Sequence, residues 1–319
     1  MTDAFQPSRR RLRGALSAAA LAAALPRPAR AASDTLRIGY QKYGTLELLK
    51  AQGTLEKRLA PLGIQVKWAE FPGGPQLLEA LNVGSVDFGT TGETPPIFAQ
   101  AAGADLQYVA YEPPAPKGEA IVVAKDSPLK SVKDLKGKRV ALNKGSNVHY
   151  LLVKALEKAG LKYEDVQTVF LNPSDARAAF ERGSVDAWVI WDPFLAAAEH
   201  QLGARQLADG VGLVSNHQFY LASRRYAEQN GKVVKLIVEE LARLDAWARQ
   251  NFKDVAGQLS SQIGLDVNIV RVAAERGTYD VRLLDAKVIA EQQRIADVFH
   301  QLKLIPKPLS VKDIVWSGQ

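Results

Sequence analysis

Residues 139–146 read Arg-Val-Ala-Leu-Asn-Lys-Gly-Ser, and residues 37–44, 102 positions earlier, read Arg-Ile-Gly-Tyr-Gln-Lys-Tyr-Gly. Arg, a β-branched residue, an amide side chain and Lys recur in the same order. Such runs favour strands. A helical run follows each, 46–59 and 150–159, and then a strand-like run, 64–70 and 166–171. A second pair lies downstream. Ala-Leu-Asn-Val-Gly-Ser-Val-Asp-Phe at 80–88 matches Ala-Phe-Glu-Arg-Gly-Ser-Val-Asp-Ala at 179–187, at an offset of 99. In both, Gly follows a helical run, where a left-handed residue closes the last turn. Continuing at that offset sets Glu93 against Asp192.

The pattern strand–loop–helix–strand–helix–strand therefore occurs twice, in 35–111 and in 119–214. Alternation of this kind predicts an α/β fold of two similar lobes, with parallel-rich sheets and right-handed crossovers. Glu-Pro-Pro-Ala-Pro-Lys at 112–117 is too rich in proline for helix or central strand and reads as one connection between the lobes. Residues 214–221 read as the return. Beyond them the chain is strongly helical, for example over 233–251 and 284–302, and is expected to pack on the first lobe. The expected organisation is an export signal at 1–31, a first lobe from 32–114 with 215–319, and a second lobe at 115–214.

In open α/β sheets ligands sit beyond the carboxyl ends of strands. The segments 41–45, 90–94, 143–147 and 191–194 all stand at such ends, so two facing lobes would bring them to one cleft. Gly145, Ser146 and Asn147 offer amides and short donors at a helix start. They suit an anion held by the positive end of the helix, or a plain cap. Thr91 and Gly92 suit a hydroxyl contact and a close backbone approach, or a turn before the following prolines. Gln41 can donate its amide to an oxyanion or cap its own helix. Glu93 and Asp192 repel an anion unless paired with a cation, set back, or facing an ammonium; Asp192 before Pro193 also suits a helix N-cap. Of the two tryptophans in the run 185–193, Trp188 is expected in the core and Trp191 as an apolar wall.

The formal charge is +7, but residues 1–31 carry six Arg against one Asp, leaving +2 for the rest. No basic patch then argues for nucleic acid. Ser-Arg-Arg-Arg-Leu-Arg at 8–13, the apolar run 14–25 and Ala-Arg-Ala at 29–31 read as an export signal, with a partial twin-arginine motif. The periplasm is the expected location, with the mature chain starting at Ala32. Absence of cysteine excludes disulfides, thiolate metal sites and a lipid anchor on cysteine. The four His are scattered, and no nucleophile elbow, phosphate loop or His-Glu-x-x-His motif occurs, which by itself leaves a dispersed triad open; the expectation is a binding protein without catalysis or a cofactor.

Several stretches resemble one family. They are Pro-Gln-Leu-Leu-Glu-Ala-Leu-Asn-Val-Gly-Ser-Val-Asp at 75–87, Lys-Gly-Ser at 144–146, Val-Asp-Ala-Trp-Val-Ile-Trp-Asp-Pro at 185–193 and Tyr-Leu-Ala-Ser-Arg-Arg-Tyr-Ala at 220–227. Together they resemble the aliphatic sulfonate-binding proteins of ABC importers, from about residue 36 to the C-terminal helices. The resemblance implies a type II periplasmic binding protein fold with hinged lobes, and a monomer that captures an organosulfonate and delivers it to a membrane permease. By motif position it implies ligand contacts from Gln41, Thr91, Gly92, Glu93, Gly145, Ser146, Asn147, Trp191 and Asp192. His149 stands where small residues are more usual, which bears on the ligand's tail. Taurine, a sulfate ester or another oxyanion is the alternative ligand. An enzyme of the pyrimidine-synthesis type and a regulator's effector domain are the alternative classes, and the export signal disfavours both.

Overall fold

The computed structural model describes residues 1–2 and 35–318. The expected export signal lies outside the described residues, apart from its first two. The first strand–helix run is β1 (Thr35–Tyr40), α1 (Gly44–Gln52), α2 (Thr54–Leu59), β2 (Gln65–Glu70), α3 (Gly74–Asn82), β3 (Phe88–Gly92), α4 (Pro95–Ala101) and β4 (Leu106–Glu112). The second is β5 (Glu119–Val123), β6 (Arg139–Leu142), α5 (Asn147–Lys158), β7 (Gln167–Phe170), α6 (Pro173–Glu181), β8 (Ala187–Trp191), α7 (Phe194–Leu202) and β9 (Arg205–Asp209). After them come β10 (Gln218–Ser223), α8 (Arg224–Gln229), α9 (Gly231–Ala248), α10 (Phe252–Ile263), α11 (Val267–Arg276), β11 (Arg282–Leu283) and α12 (Ala286–Gln301).

The strands form two sheets, ordered β11-β4-β10-β3-β1-β2 and β7-β6-β8-β5-β9. Without the short edge strand β11, the two orders match strand for strand when β10 answers β5. The repeat also survives in side chains. Arg37 ion-pairs Asp87 at 2.7 Å and donates to the Gly84 carbonyl; Arg139 pairs Asp186 at 3.0 Å and donates to the Gly183 carbonyl. Gly84 and Gly183 are both left-handed, with φ of 75° and 67°. Arg37 thus ties β1 to the turn before β3, and Arg139 ties β6 to the turn before β8.

The sheets are mixed rather than parallel throughout. β1 pairs β2 and β3 in parallel and β6 pairs β7 and β8 in parallel, as the alternation predicts. β10 and β5, however, are each the first strand after a connection between the sheets, and each inserts antiparallel between two strands laid down earlier or later. Local alternation carries no signal for a strand supplied from across a connection.

Those connections run side by side. The Ala115 amide donates to the Ser215 carbonyl at 3.1 Å, and Asn216 Nδ2 donates to the Ala115 carbonyl at 2.9 Å. One face of the first sheet packs on α1, α2 and the C-terminal helices α9 to α11 through Leu46, Leu49, Val234, Ile237 and Leu241. Its other face packs on α3, α4 and α12 through Leu77, Ile97 and Phe299. The second sheet has its own core, in which Trp188 is buried beside Phe180.

Candidate functional site

A cavity of about 110 Å³ lies where strand ends of both sheets meet the α10–α11 hairpin. Its walls come from the β1–α1 turn (Lys42, Tyr43, Gly44), from Glu112 and Gln218 at the ends of β4 and β10, from the connections (Ala115, Asn216), and from Asn147, Trp191 and Asp192 of the second lobe. Of the nine expected contacts, Asn147, Trp191 and Asp192 line this cavity, and the other six do not.

Those six pack around it. Gln41 is buried and donates to the Thr90 carbonyl at 3.0 Å and to the Tyr43 hydroxyl at 3.4 Å. Thr91 is buried and donates to the Gly92 carbonyl. Gly92 abuts Asn147: a Cβ at Gly92 would lie 2.6 Å from Asn147 Oδ1. Glu93 is buried; one carboxylate oxygen accepts from the His217 amide at 3.0 Å and the other has no partner. Gly145, at φ 73°, faces the Phe98 ring. Ser146 stands at the N-cap of α5 without a capping bond, and its hydroxyl donates to the Asn143 carbonyl at 2.7 Å. The loop at 143–147 and the end of β3 therefore face each other, with Asn147 as the residue that reaches the cavity.

Asn147 is held from two sides. Its Nδ2 donates to Glu119 Oε2 at 2.5 Å and to Asn216 Oδ1 at 2.8 Å, so it bridges the second lobe and the connections. Asp192 does two of the things its sequence suggests. Its Oδ1 accepts from the Ala196 amide in the first turn of α7 at 3.0 Å, and it pairs with Arg276 of α11 at 3.4 Å. Arg276 also pairs with Glu199 of α7 at 2.7 Å, so one guanidinium holds two carboxylates of the second lobe.

His149 is not a wall of the cavity. It is fully buried, with Nε2 2.6 Å from the Tyr163 hydroxyl and Nδ1 accepting from the Gly145 amide at 3.3 Å. Phe98, Phe170 and Phe299 surround its ring. Burial lowers its pKa to about 4, with the Lys144 charge adding to the effect, so it is neutral at pH 7. It props the loop against Phe98 and Phe299 of the first lobe.

Residues outside the nine also shape the electrostatics. The Tyr43 hydroxyl accepts from Gln218 Nε2 at 2.5 Å and from Gln41, which directs its own proton elsewhere. Burial raises its pKa, so the proton stays. α1 begins beside it with no side-chain cap, leaving first-turn amides and the positive helix end toward the cavity. Glu112 accepts from Thr45 at 3.1 Å and from Tyr220. Burial, and then the Asp245 charge, push its pKa well above the usual carboxylate range, so this wall carries less negative charge than its composition implies. Burial also raises Asp192 to about 6, against the opposing pull of Arg276. Among the described residues no cluster of His, Asp and Glu has the arrangement to hold a metal ion. The arrangement combines neutral or charge-assisted donors, neutralised acids and an apolar flank, which suits a small anion with an organic tail.

The NMT1/THI5-like family model matches residues 60–251. A protein named as an aliphatic sulfonates-binding protein from Escherichia coli K12 is 46% identical over 307 residues, covering 96% of this chain and 94% of that one. The alkanesulfonate-binding protein SsuA from Xanthomonas axonopodis pv. citri, solved bound to MOPS, superposes with a TM-score of 0.85 at 44% identity, covering 90% of this chain and 99% of that one. The periplasmic aliphatic sulphonate-binding protein SsuA from Escherichia coli gives a TM-score of 0.80 at 47% identity, covering 89% and 92%.

Proposed function

Because the chain belongs to the NMT1/THI5-like family and, within it, to the aliphatic sulfonate-binding proteins of ABC importers, we propose that it captures an aliphatic sulfonate between its lobes and hands it to a membrane permease for sulfur uptake. It does so as a monomer and without chemistry. The export signal at 1–31 carries it to the periplasm, and among the described residues no helix is long and apolar enough to cross a membrane. The first lobe comprises 32–114 with 215–319 and the second 115–214, a division supported by which sheet each strand joins.

The observation that carries this reading is the polar end of the cavity. A sulfonate is ionised at any physiological pH and asks only for donors. The Tyr43 hydroxyl and the uncapped start of α1 supply them, with Lys42 in the same wall. The carboxylates that would repel an anion are dealt with individually. Burial, and then the Asp245 charge, push the Glu112 carboxyl well above the usual carboxylate range, and Asp192 faces Arg276. The six expected contacts that stand back from the cavity act by placing Asn147 and Tyr43. Closure brings Asn147 against Gly92, and Arg276 locks α11 to Asp192 and Glu199.

Calorimetric titration with alkanesulfonates, taurine, sulfate, nitrate and alkyl carboxylates tests the proposal. Alkanesulfonates should bind most tightly and be recovered unchanged. Tighter binding of taurine would favour the second reading, an aminosulfonate whose ammonium meets Glu112 or Asp192. Product formation would replace a carrier with an enzyme.

A further inference from the structure

The flank of the cavity opposite the strand ends is built by one hairpin alone. Leu259 and Ile263 of α10 are four residues apart, and Val270, Ala273 and Ala274 of α11 stand at i, i+3 and i+4. Each set shares one helix face, and the two faces meet at the cavity. All five are apolar. The polar groups lining the cavity come from the strand ends and connections, from Asp192 and from residues 276–279 at the end of the hairpin. The apolar wall therefore stands on the facing sides of α10 and α11, while the polar groups stand at the strand ends, on the connections and at the last residue of α11 with the loop after it. Leu259, Val270 and Ala274 are 4%, 1% and 5% exposed, because their outer sides pack into the core of the first lobe. This wall is thus backed by core packing rather than by a free loop.

Resting on the sulfonate reading above, we propose that the α10–α11 hairpin is the gauge that sets which tail lengths the protein accepts. The head group is fixed at the β1–α1 turn, so each added methylene extends toward the hairpin. Ala273 and Ala274 leave the depth of the cavity open where larger residues would close it, and Val270 and Ile263 line its sides. While the tail still fits, each buried methylene should tighten binding about fourfold. Beyond the depth the hairpin allows, affinity should fall, because a backed wall cannot yield without disturbing the core.

Two variants move the wall in opposite directions. Ala274 sits in the core of the first lobe, whereas Ala273 is partly buried beside Ala196 and Ala197 of α7, so Ala273→Leu is the filling variant. Val270→Ala is the emptying one. Calorimetry on each, across methane- to octanesulfonate, reads the length profile, and thermal melts confirm that both fold. Ala273→Leu should weaken the longest tail that wild type binds by tenfold or more while leaving methanesulfonate within about twofold. Val270→Ala should shift the tightest-binding length upward by at least one methylene. If wild type binds the series and both folded variants keep its length profile, the hairpin is not the gauge. If wild type binds no sulfonate of any length, the underlying functional reading fails instead.

Discussion

The side chain of Asn147 occupies the space into which a Cβ on Gly92 would project, with Asn147 Oδ1 at 2.6 Å and Asn147 Cγ at 2.7 Å from that position. Gly92 ends a strand of the first sheet and Asn147 starts a helix beside the second, so the two sheets' ends touch through a residue that has no side chain. Gly92→Ala is therefore expected to oppose closure. Affinity for an alkanesulfonate should fall at least tenfold. The melting temperature without ligand should move little, because an open form relieves the contact. Titration and a thermal melt on the same preparation check this.

Arg276 is the charged link between α11 and α7. Removing it leaves Asp192 and Glu199 facing each other unneutralised. Arg276→Gln should weaken sulfonate binding by roughly tenfold to a hundredfold, the range of a charge-assisted bond at 1.5–3 kcal/mol. The loss should appear chiefly as faster ligand release, which stopped-flow dissociation reads directly.

Tyr43→Phe removes a hydroxyl whose proton is directed away from its two bonded neighbours. The same 1.5–3 kcal/mol range applies to its bond with an ionised group. Sulfonate affinity should fall roughly tenfold or more, and the variant should lose discrimination between the sulfonate and a neutral alcohol of equal tail length. Parallel titrations with both ligands measure it.

Glu93 and His149 give opposite pH dependences in one window. Burial raises Glu93 to about 7, above the ordinary carboxyl value, so its contribution favours folding below about pH 4.5 and is lost as pH rises through 7. Burial lowers His149 to about 4, so its contribution is present above about pH 6.5 and is lost as pH falls through 4. Each is worth about 3 kcal/mol at most by this linkage, and the two slopes partly cancel. Buried Glu112, Glu119, Asp192 and Asp245 are also raised and give all variants a common acid-side slope. Relative to wild type, Glu93→Gln should therefore gain less or lose more stability from pH 7 to 4, and His149→Phe should gain more over the same interval. Chemical denaturation at several pH values separates them.

The fold could be read from the chain because the repeat is written in charged as well as apolar residues. Arg37 with Asp87 and Arg139 with Asp186 make the same bond in both sheets, at the positions where the sequence repeats. The antiparallel strands β10 and β5 could not be read, since their neighbours are set by the connections rather than by local pattern. The site was legible where it falls on the repeat: Asn147, Trp191 and Asp192 stand at strand ends predicted to face a cleft. Glu112, Gln218, Arg276 and the apolar hairpin lie outside the two aligned blocks, so no internal match points to them. Tyr43 sits inside a block beside Gln41, and a sequence does not say which of two neighbours faces the cavity. Ser146 suits a cap and an anion contact equally well on paper. Its hydroxyl instead turns back to Asn143, a local bond that competes with both.

Small-angle X-ray scattering with and without a saturating alkanesulfonate tests the central claim, that the lobes close on the ligand. The account predicts a smaller radius of gyration with the sulfonate and no change with an alkyl carboxylate of equal length at the same concentration. A scattering profile that is identical with and without a sulfonate shown by calorimetry to be bound would contradict it.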